Sequence, residues 1–284
     1  MKPLVSINIP TYRSQQTLKE CLLSVINQEY HNVEIIVIDS HSRDRTLEIA
    51  KKYGAKTYFA DTLSEARKIG VEKSHGKYIL FLDSDQILTS DIIEKCVNKC
   101  EKEGYDLVTL FEKSLIQRNT PIERAIAYDK WLFHSQRDNH PVYGSAIPRF
   151  FRTDILRKIK WPKSLGVQEH NIIYHRLMKV GSRVTFLNEY IYHHEPTTLS
   201  QFAKKFYRYG LSYVAALRED KKLVIFHSMP RRVYFSKRAF DKPDLLIVLI
   251  LLYVVKALAT LSGVIAYHFN KICKKPVCNE GERS

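Results

Sequence analysis

The chain has 284 residues, 45% hydrophobic and 26% charged, as is ordinary for a folded globular protein, and is long enough for one large α/β domain with appendages or for two small ones. Its 45 Lys+Arg against 30 Asp+Glu leave a net charge of +15, which calls for an anionic partner: nucleic acid, an acidic membrane or a phosphorylated substrate. Five cysteines (Cys21, Cys96, Cys100, Cys273 and Cys278) with no CxxC pair exclude a secreted disulfide framework and argue against a zinc site.

The start, Met1 to Ser6, runs directly into a strand without a signal-peptide pattern, so a cytosolic catalytic part is expected. Val5–Ile9 reads as a strand and Thr17–Gln28 as a helix with Leu18, Cys21, Leu22, Val25 and Ile26 on one face. Val33–Ile38 is apolar except for Glu34, as in a parallel strand covered on both sides. Ser42 is placed to cap a helix carrying Leu47, Ile49 and Ala50, and Gly54 to end it. Lys56–Phe59 (strand), Ser64–Ser74 (helix), Tyr78–Leu82 (strand), Asp91–Glu103 (helix closed by Gly104) and Asp106–Phe111 (strand) complete a βαβ series. That order predicts a mostly parallel sheet with helices on both faces.

Thr120-Pro121-Ile122-Glu123 forms a capping box with proline at the first helical position, opening a helix to about Gln136. Pro148–Arg152 reads as a strand, Thr153 as the cap of a short helix, and Gln168–Val180 as a helix before two strands, Arg183–Leu187 and Tyr190–His193. A basic amphipathic helix covers roughly Ser200–Arg218. Between Gln201 and Pro243 eleven basic residues face three acidic ones, so +8 of the excess charge lies there. Leu245–Tyr267 has Lys256 as its only charge and is long enough for a bilayer core of ~30 Å. It reads either as a transmembrane helix or as a membrane-surface helix whose lysine snorkels. Basic residues flank both ends: Arg231, Arg232, Lys237, Arg238 and Lys242 before it, Lys271, Lys274 and Lys275 after it. They slightly favour a cytosolic amino-terminal side.

The chemistry concentrates at Asp83-Ser84-Asp85, where the apolar strand ends. Two carboxylates there suit a Mg²⁺ or Mn²⁺ that shares its shell with substrate phosphates, although Asp and Ser are also plain turn residues. Pro10-Thr11-Tyr12-Arg13 and Asp39 end neighbouring strands. Arg67, opening the helix before the aspartates, is a natural phosphate or carboxylate clamp.

In Ser6–Tyr12, Val37–Asp44, Glu65–Gly70 and Gly76–Asp85, the chain resembles glycosyltransferase family 2, with the GT-A fold, from Val5 to about Gly210. The resemblance implies a catalytic domain over 1–198, with a nucleotide-sugar half (1–112) and an acceptor half (113–198). A basic membrane-proximal region (199–243), a hydrophobic helix (244–270) and a polar tail (271–284) would follow. It implies that Pro10, Thr11, Tyr12, Asp39, Arg67, Asp83 and Ser84 hold the nucleotide sugar, and that Asp83 and Asp85 bind Mn²⁺ or Mg²⁺. His193-His194-Glu195 resembles the family's metal-shell histidine. Adjacent strand residues face opposite ways, so at most one of the two histidines reaches the metal; His194 is the expected ligand, and a structural histidine is the alternative reading.

The family often carries two acidic residues after the second strand, where this chain has Asp39-Ser40. Its acceptor-side Glu-Asp pair falls on Glu169-His170. Glu169 or His170 then acts as general base, or none is needed because a lipid phosphate is already ionised. Lys204, Lys205 and Arg208, interleaved with aromatics, are expected near a lipid phosphate, with no nucleic acid as partner because the recognisable RNA modules are missing. The activity implied is an inverting, metal-dependent transfer from a nucleotide diphosphate sugar to a lipid-linked acceptor, polyprenyl phosphate or lipid-linked saccharide, at the cytoplasmic face of the cell membrane. The rival readings are a nucleotidyltransferase, against which Pro10–Gln15 offers no glycine-rich loop, and a non-catalytic membrane or nucleic-acid-binding protein. The region Leu115–Ser145, expected to shape sugar selectivity, carries no diagnostic motif.

Overall fold

A computed structural model of the chain describes residues 2–135, 147–229 and 232–273. Part of the selectivity region (136–146), the predicted helix end at Gln136, and Arg231, Lys274, Lys275 and Cys278 lie outside the described residues, as does most of the polar tail. The elements alternate as expected in the first half: β1 (Val5–Thr11), α1 (Leu18–Ile26), β2 (Val33–Asp39), α2 (Thr46–Lys52), β3 (Lys56–Phe59), α3 (Leu63–Lys73), β4 (Tyr78–Phe81), a two-residue β5 (Gln86–Ile87), α4 (Ile92–Glu103) and β6 (Leu107–Leu115). There follow α5 (Pro121–Ser135), β7 (Ile147–Arg152), α6 (Thr153–Leu156), α7 (Glu169–Lys179), β8 (Val184–His194), α8 (Leu199–Glu219), α9 (Lys221–Ser228), two 3₁₀ turns (Arg232–Phe235 and Lys237–Phe240) and α10 (Pro243–Cys273).

The described strands form one eight-stranded sheet in the order β3-β2-β1-β4-β7-β6-β8-β5. The pairs β1–β2, β1–β4, β2–β3 and β6–β8 are parallel, whereas β7 runs antiparallel between β4 and β6. Alternation of side chains across the pleat divides the core. Leu80, Val108 and Phe150 pack with Leu22 of α1 and Ile93 of α4 on one face. Their neighbours Ile79, Phe81, Leu107 and Phe151 pack with Val71 of α3 and Ile173 and Leu177 of α7 on the other. Helices thus cover both faces, as predicted.

Local signals explain most boundaries. Gly54 and Gly104 end α2 and α4 with φ of 75° and 72°, a conformation glycine adopts at low cost. The capping box closes reciprocally: Glu123 N–H donates to Thr120 Oγ1 at 3.2 Å, and Thr120 N–H to Glu123 Oε2 at 3.0 Å. Three expectations need correction. Ser42 does not cap α2; its N–H and hydroxyl both donate to Asp39, and Arg45 holds the cap position. Thr153 does not cap α6 but opens it, with its hydroxyl donating to the Gly76 carbonyl. The two strands expected near 183–193 are one, β8, whose register against β6 shifts between Thr109 and Phe111.

The long apolar helix is docked. Buried Leu245, Leu249 and Leu252 of α10 pack with Ala125, Tyr128 and Leu132 of α5 and Phe202 of α8. Farther along, Gly210 of α8 meets Gly263 so closely that a Cβ on Gly210 would lie 2.1 Å from the Thr260 carbonyl oxygen. Contacts that advance together, from Phe202–Leu252 to Gly210–Gly263, make α8 and α10 run side by side in the same direction. The opposite face of α10 exposes Ile247, Ile250, Leu251, Val254, Leu258 and Leu261.

Candidate functional site

The register of the sheet assembles the rim. Thr11 pairs with Asp39 at the carboxyl ends of β1 and β2, and Asp83 lies two residues past the end of β4. Antiparallel β7 matches Phe150 to Leu80, which brings Arg149 level with the departing β4 chain. Gln86 of β5 pairs with His193 of β8, which sets that histidine beside the Asp85 loop.

A chain of alternating charges runs along this rim. Glu169 Oε1 accepts from Arg67 Nε at 3.0 Å, and Arg67 Nη2 reaches Asp83 Oδ1 at 2.6 Å. Arg149 bridges Asp83 Oδ2 at 2.9 Å and Glu112 Oε1 at 2.5 Å. Lys130 Nζ joins Glu112 at 3.1 Å to Glu195 at 2.7 Å. Glu195 lies 3.1 Å from His193 Nδ1, and His193 Nε2 lies 3.5 Å from Asp85 Oδ2. Gln86 ties the middle together, donating to Glu112 at 2.7 Å and accepting the Asp83 N–H at 2.9 Å. Arg67, Arg149 and Glu169 are buried, so removing any one takes away one of the two charges that flank its neighbour in a site with little solvent.

The electrostatics follow from these contacts. Burial opposes ionisation of Asp83, but the Arg149 and Arg67 guanidiniums outweigh it and hold its carboxyl well below the usual range. Burial likewise opposes Glu169, yet His170 and then Arg67 pull it down to about 2. Lys130, Arg149 and His193 overcome burial at Glu112 and hold it low, and His193 and Lys130 do the same at Glu195. For a depressed carboxyl pKa the stabilisation is complete above the unfolded value, ~4.3 for glutamate, and is lost as pH falls through the folded value. Stability should therefore fall steeply between about pH 4 and pH 2. Acid unfolding followed by circular dichroism in Glu169→Gln, compared with the parent, checks this: the parent loses more stability over that interval than the variant.

Asp83 and Asp85 differ in kind. Both Asp83 oxygens are occupied by guanidinium groups, whereas the Asp85 side chain is 40% exposed, with His193 its one ion-pair neighbour among the described residues. No group of three His, Cys, Asp or Glu side chains forms a metal cage among the described residues. The donor set fits a hard cation that takes one or two protein ligands and completes its shell with water and substrate phosphates. The residues that would hold it are Asp85 and His193. His194, expected as a ligand, has its Nε2 3.0 Å from Glu20, while its backbone N–H donates to the Asp85 carbonyl. Asp83, also expected as a ligand, is committed to the arginines.

The other sequence-derived residues are distributed unevenly. Thr11 Oγ1 donates to Asp39 Oδ1 at 2.8 Å and both are buried, so they brace the β1 and β2 ends from beneath the rim. Pro10 is buried with them, whereas Tyr12 is exposed. Ser84 lies 2.8 Å from Ser14 through their hydroxyls. His41, at φ 56°, stacks on exposed Phe59 at 5.6 Å beside the same rim, an aromatic surface that sequence reasoning missed. His170 is half-buried, its Nδ1 3.6 Å from Glu169. Lys205 is half-buried and Lys204 and Arg208 are exposed on α8. Sequence reasoning also missed Arg149, Glu112 and Lys130, and it singled out His193-His194-Glu195 without separating their partners. The available signal was a charge inside otherwise apolar strands, as in Pro148-Arg149-Phe150-Phe151 and Leu110-Phe111-Glu112.

Comparison with known proteins bears on this arrangement. A model of glycosyl transferase family 2 matches residues 6–176. An uncharacterized glycosyltransferase of Haemophilus influenzae is 41% identical over 104 residues, covering 34% of this chain and 42% of that protein. The cholesterol galactosyltransferase of Borreliella burgdorferi is 28% identical over 211 residues, covering 66% of this chain and 59% of that one. The matched segments thus span less than two thirds of either relative. Among solved structures, the mannosyltransferase PcManGT from Pyrobaculum calidifontis in complex with GDP-Man and Mn2+ superposes with a TM-score of 0.59 at 14% identity, covering 96% of this chain and 81% of that one. S. aureus TarS 1-349 in complex with UDP-GlcNAc gives a TM-score of 0.56 at 17% identity, covering 96% and 92%. These structural likenesses establish the GT-A-like fold.

Proposed function

The chain belongs to glycosyl transferase family 2, and we propose that it transfers a sugar from a nucleoside diphosphate sugar to a lipid acceptor at the cytoplasmic face of a membrane. One observation carries this reading. The open carboxylate Asp85 connects through His193 and Glu195 to a cavity walled by α10, the helix long and apolar enough over Pro243–Phe269 to cross a membrane. Donor chemistry and apolar surface are thus neighbours. The relatives' names agree in kind: one acts on cholesterol, and two structural neighbours hold nucleotide sugars.

In this reading Arg67 and Arg149 fix Asp83 under the nucleotide, and Asp85 with His193 faces the diphosphate. A divalent cation held by those two would neutralise charge developing on the departing nucleoside diphosphate. The acceptor oxygen attacks the anomeric carbon from the side opposite the leaving group, and one displacement inverts the centre. Glu169, at about pH 2 in its titration and locked to Arg67, is too weak a base for a hydroxyl; it positions the arginine. A lipid phosphate acceptor brings an oxygen already ionised, and His170 is the group available where a hydroxyl must be deprotonated.

The docking of α10 favours a helix lying in the membrane surface over one that spans. Carrying residues 252–263 through the hydrocarbon would take α8 with them, including Lys204 and Arg208, each costing about 2.5–3.5 kcal/mol near the bilayer centre. A surface helix buries its exposed apolar face and leaves those bases at anionic headgroups.

The test is a panel of nucleotide sugars offered to the full chain with Mn²⁺ or Mg²⁺ and a membrane lipid extract, following nucleoside diphosphate release and the product anomer by NMR. Release that requires the lipid extract, with an inverted anomer, is expected. No release with any donor, or a retained anomer, refutes the proposal.

A further inference from the structure

The single charge of the apolar stretch turns inward. Lys256 Nζ lies 5.0 Å from the Phe206 ring centre and 4.9 Å from that of Tyr253, on the wall of a cavity of about 160 Å³ between α5, α8 and α10. Asp129, Lys130, Glu195 and Lys205 line the same cavity. It is smaller than the ~300–1,000 Å³ of ordinary small-molecule sites, so it suits a headgroup rather than a nucleotide sugar.

The acids of this cavity are engaged. Asp129 accepts from the Tyr234 hydroxyl at 2.6 Å and the Tyr253 hydroxyl at 3.2 Å, and its burial raises its carboxyl pKa. Glu195 accepts from Ser114 at 2.8 Å and pairs with Lys130 at 2.7 Å. Lys130 is shared with Glu112. Lys205 and Lys256 are left with no ion-pair partner among the described residues, although both face into the protein. Lys205 feels the carboxylates of Glu195 and Asp85 without a salt bridge to either, and the Lys256 ammonium faces the Phe206 and Tyr253 rings, so an anion entering this space would meet two cations that no salt bridge among the described residues holds. The exposed apolar stripe of α10, from Ile247 to Leu261, borders the cavity wall formed by Leu249 and Leu252.

We propose that this cavity is a phosphate site for a lipid, with Lys205 and Lys256 as its cationic ligands and the lipid chain lying along the outer stripe of α10. The identification of that lipid as the sugar acceptor rests on the glycosyltransferase reading; the phosphate site itself does not. Its place fits the acceptor, since Glu195 lies 3.1 Å from His193, and His193 lies 3.5 Å from Asp85. The apolar helix then contributes a ligand to the site as well as a surface to the membrane.

Calorimetric binding of dodecyl phosphate to the full chain in a neutral detergent tests this without any donor sugar, so a lack of turnover has no bearing on it. Dodecyl phosphate should bind at least tenfold tighter than inorganic phosphate or dodecanol. Lys256→Met, which keeps the length of the stem, should lose about tenfold or more, the worth of one charge-assisted contact, and Lys256→Arg should recover most of it. Lys205→Met should show the same loss, and nucleoside diphosphate affinity in all variants should stay within twofold of the parent. Unchanged dodecyl phosphate affinity in both methionine variants overturns the site. Inorganic phosphate binding as tightly as dodecyl phosphate overturns the lipid assignment, and loss of nucleoside diphosphate binding in Lys256→Met overturns the separation from the donor site.

Discussion

Arg149→Met should melt well below the parent protein, by roughly 10 °C or more. Arg149 is 5% exposed and places one nitrogen on Asp83 and another on Glu112. Replacing it leaves Asp83 with Arg67 alone and the buried Glu112 with Lys130 alone, and removes the cation between them. Breaking a buried pair by removing one partner costs about 3–5 kcal/mol, and each kcal/mol lowers the melting temperature of a domain this size by about 2–4 °C. Arg149→Lys should recover little of the loss, because a single ammonium cannot fork between two acids. Differential scanning calorimetry decides the matter: a melting temperature within 2 °C of the parent removes the charge chain as a structural element.

Asp85→Asn should behave in the opposite way, folding normally and transferring sugar poorly. Its carboxylate is the open one on the rim, with one ion-pair neighbour at 3.5 Å among the described residues, so little native stability depends on it. In the proposed function it would hold the cation that meets the diphosphate, and Asp83, the neighbouring carboxylate, already carries two arginines. Loss of a preorganised electrostatic group costs about 10²–10³ in kcat. The expected pattern is a fall in kcat of at least a hundredfold, with circular dichroism and melting temperature unchanged. A kcat within tenfold of the parent would take Asp85 out of the chemistry. Asp83→Asn gives the contrast, since it should lose stability as well as activity.

Much of the fold was legible because local rules and tertiary packing agree. The apolar runs Ile35–Ile38 of β2 and Tyr78–Phe81 of β4 and the glycines at 54 and 104 required no long-range information. Ser42 and Thr153 were misread because both have long-range alternatives to capping: Asp39 for one, the Gly76 carbonyl for the other. The aspartates were visible at a strand end, but their division of labour was not. It depends on Arg149, 66 residues away from Asp83 in sequence and brought in by an antiparallel strand that interrupts a parallel series. That His193 rather than His194 lies beside Asp85 depends in the same way on the Gln86 pairing of β5 with β8. Glu169 was found by its alignment with a base, but its pairing with Arg67, 102 residues away, was not legible in the sequence.

The parallel docking of α10 on α8 has a practical consequence for this protein. Where a hydrophobic tail merely tethers an enzyme, it can be cut away to leave a soluble catalytic fragment. Here, removing residues after Lys242 would uncover Ala125, Leu132 and Phe202, take Lys256 and Leu252 from the cavity, and open the seam at Gly210. Such a shortened protein would lose the wall against which the proposed acceptor would lie, so trimming for solubility would compete with preserving that site.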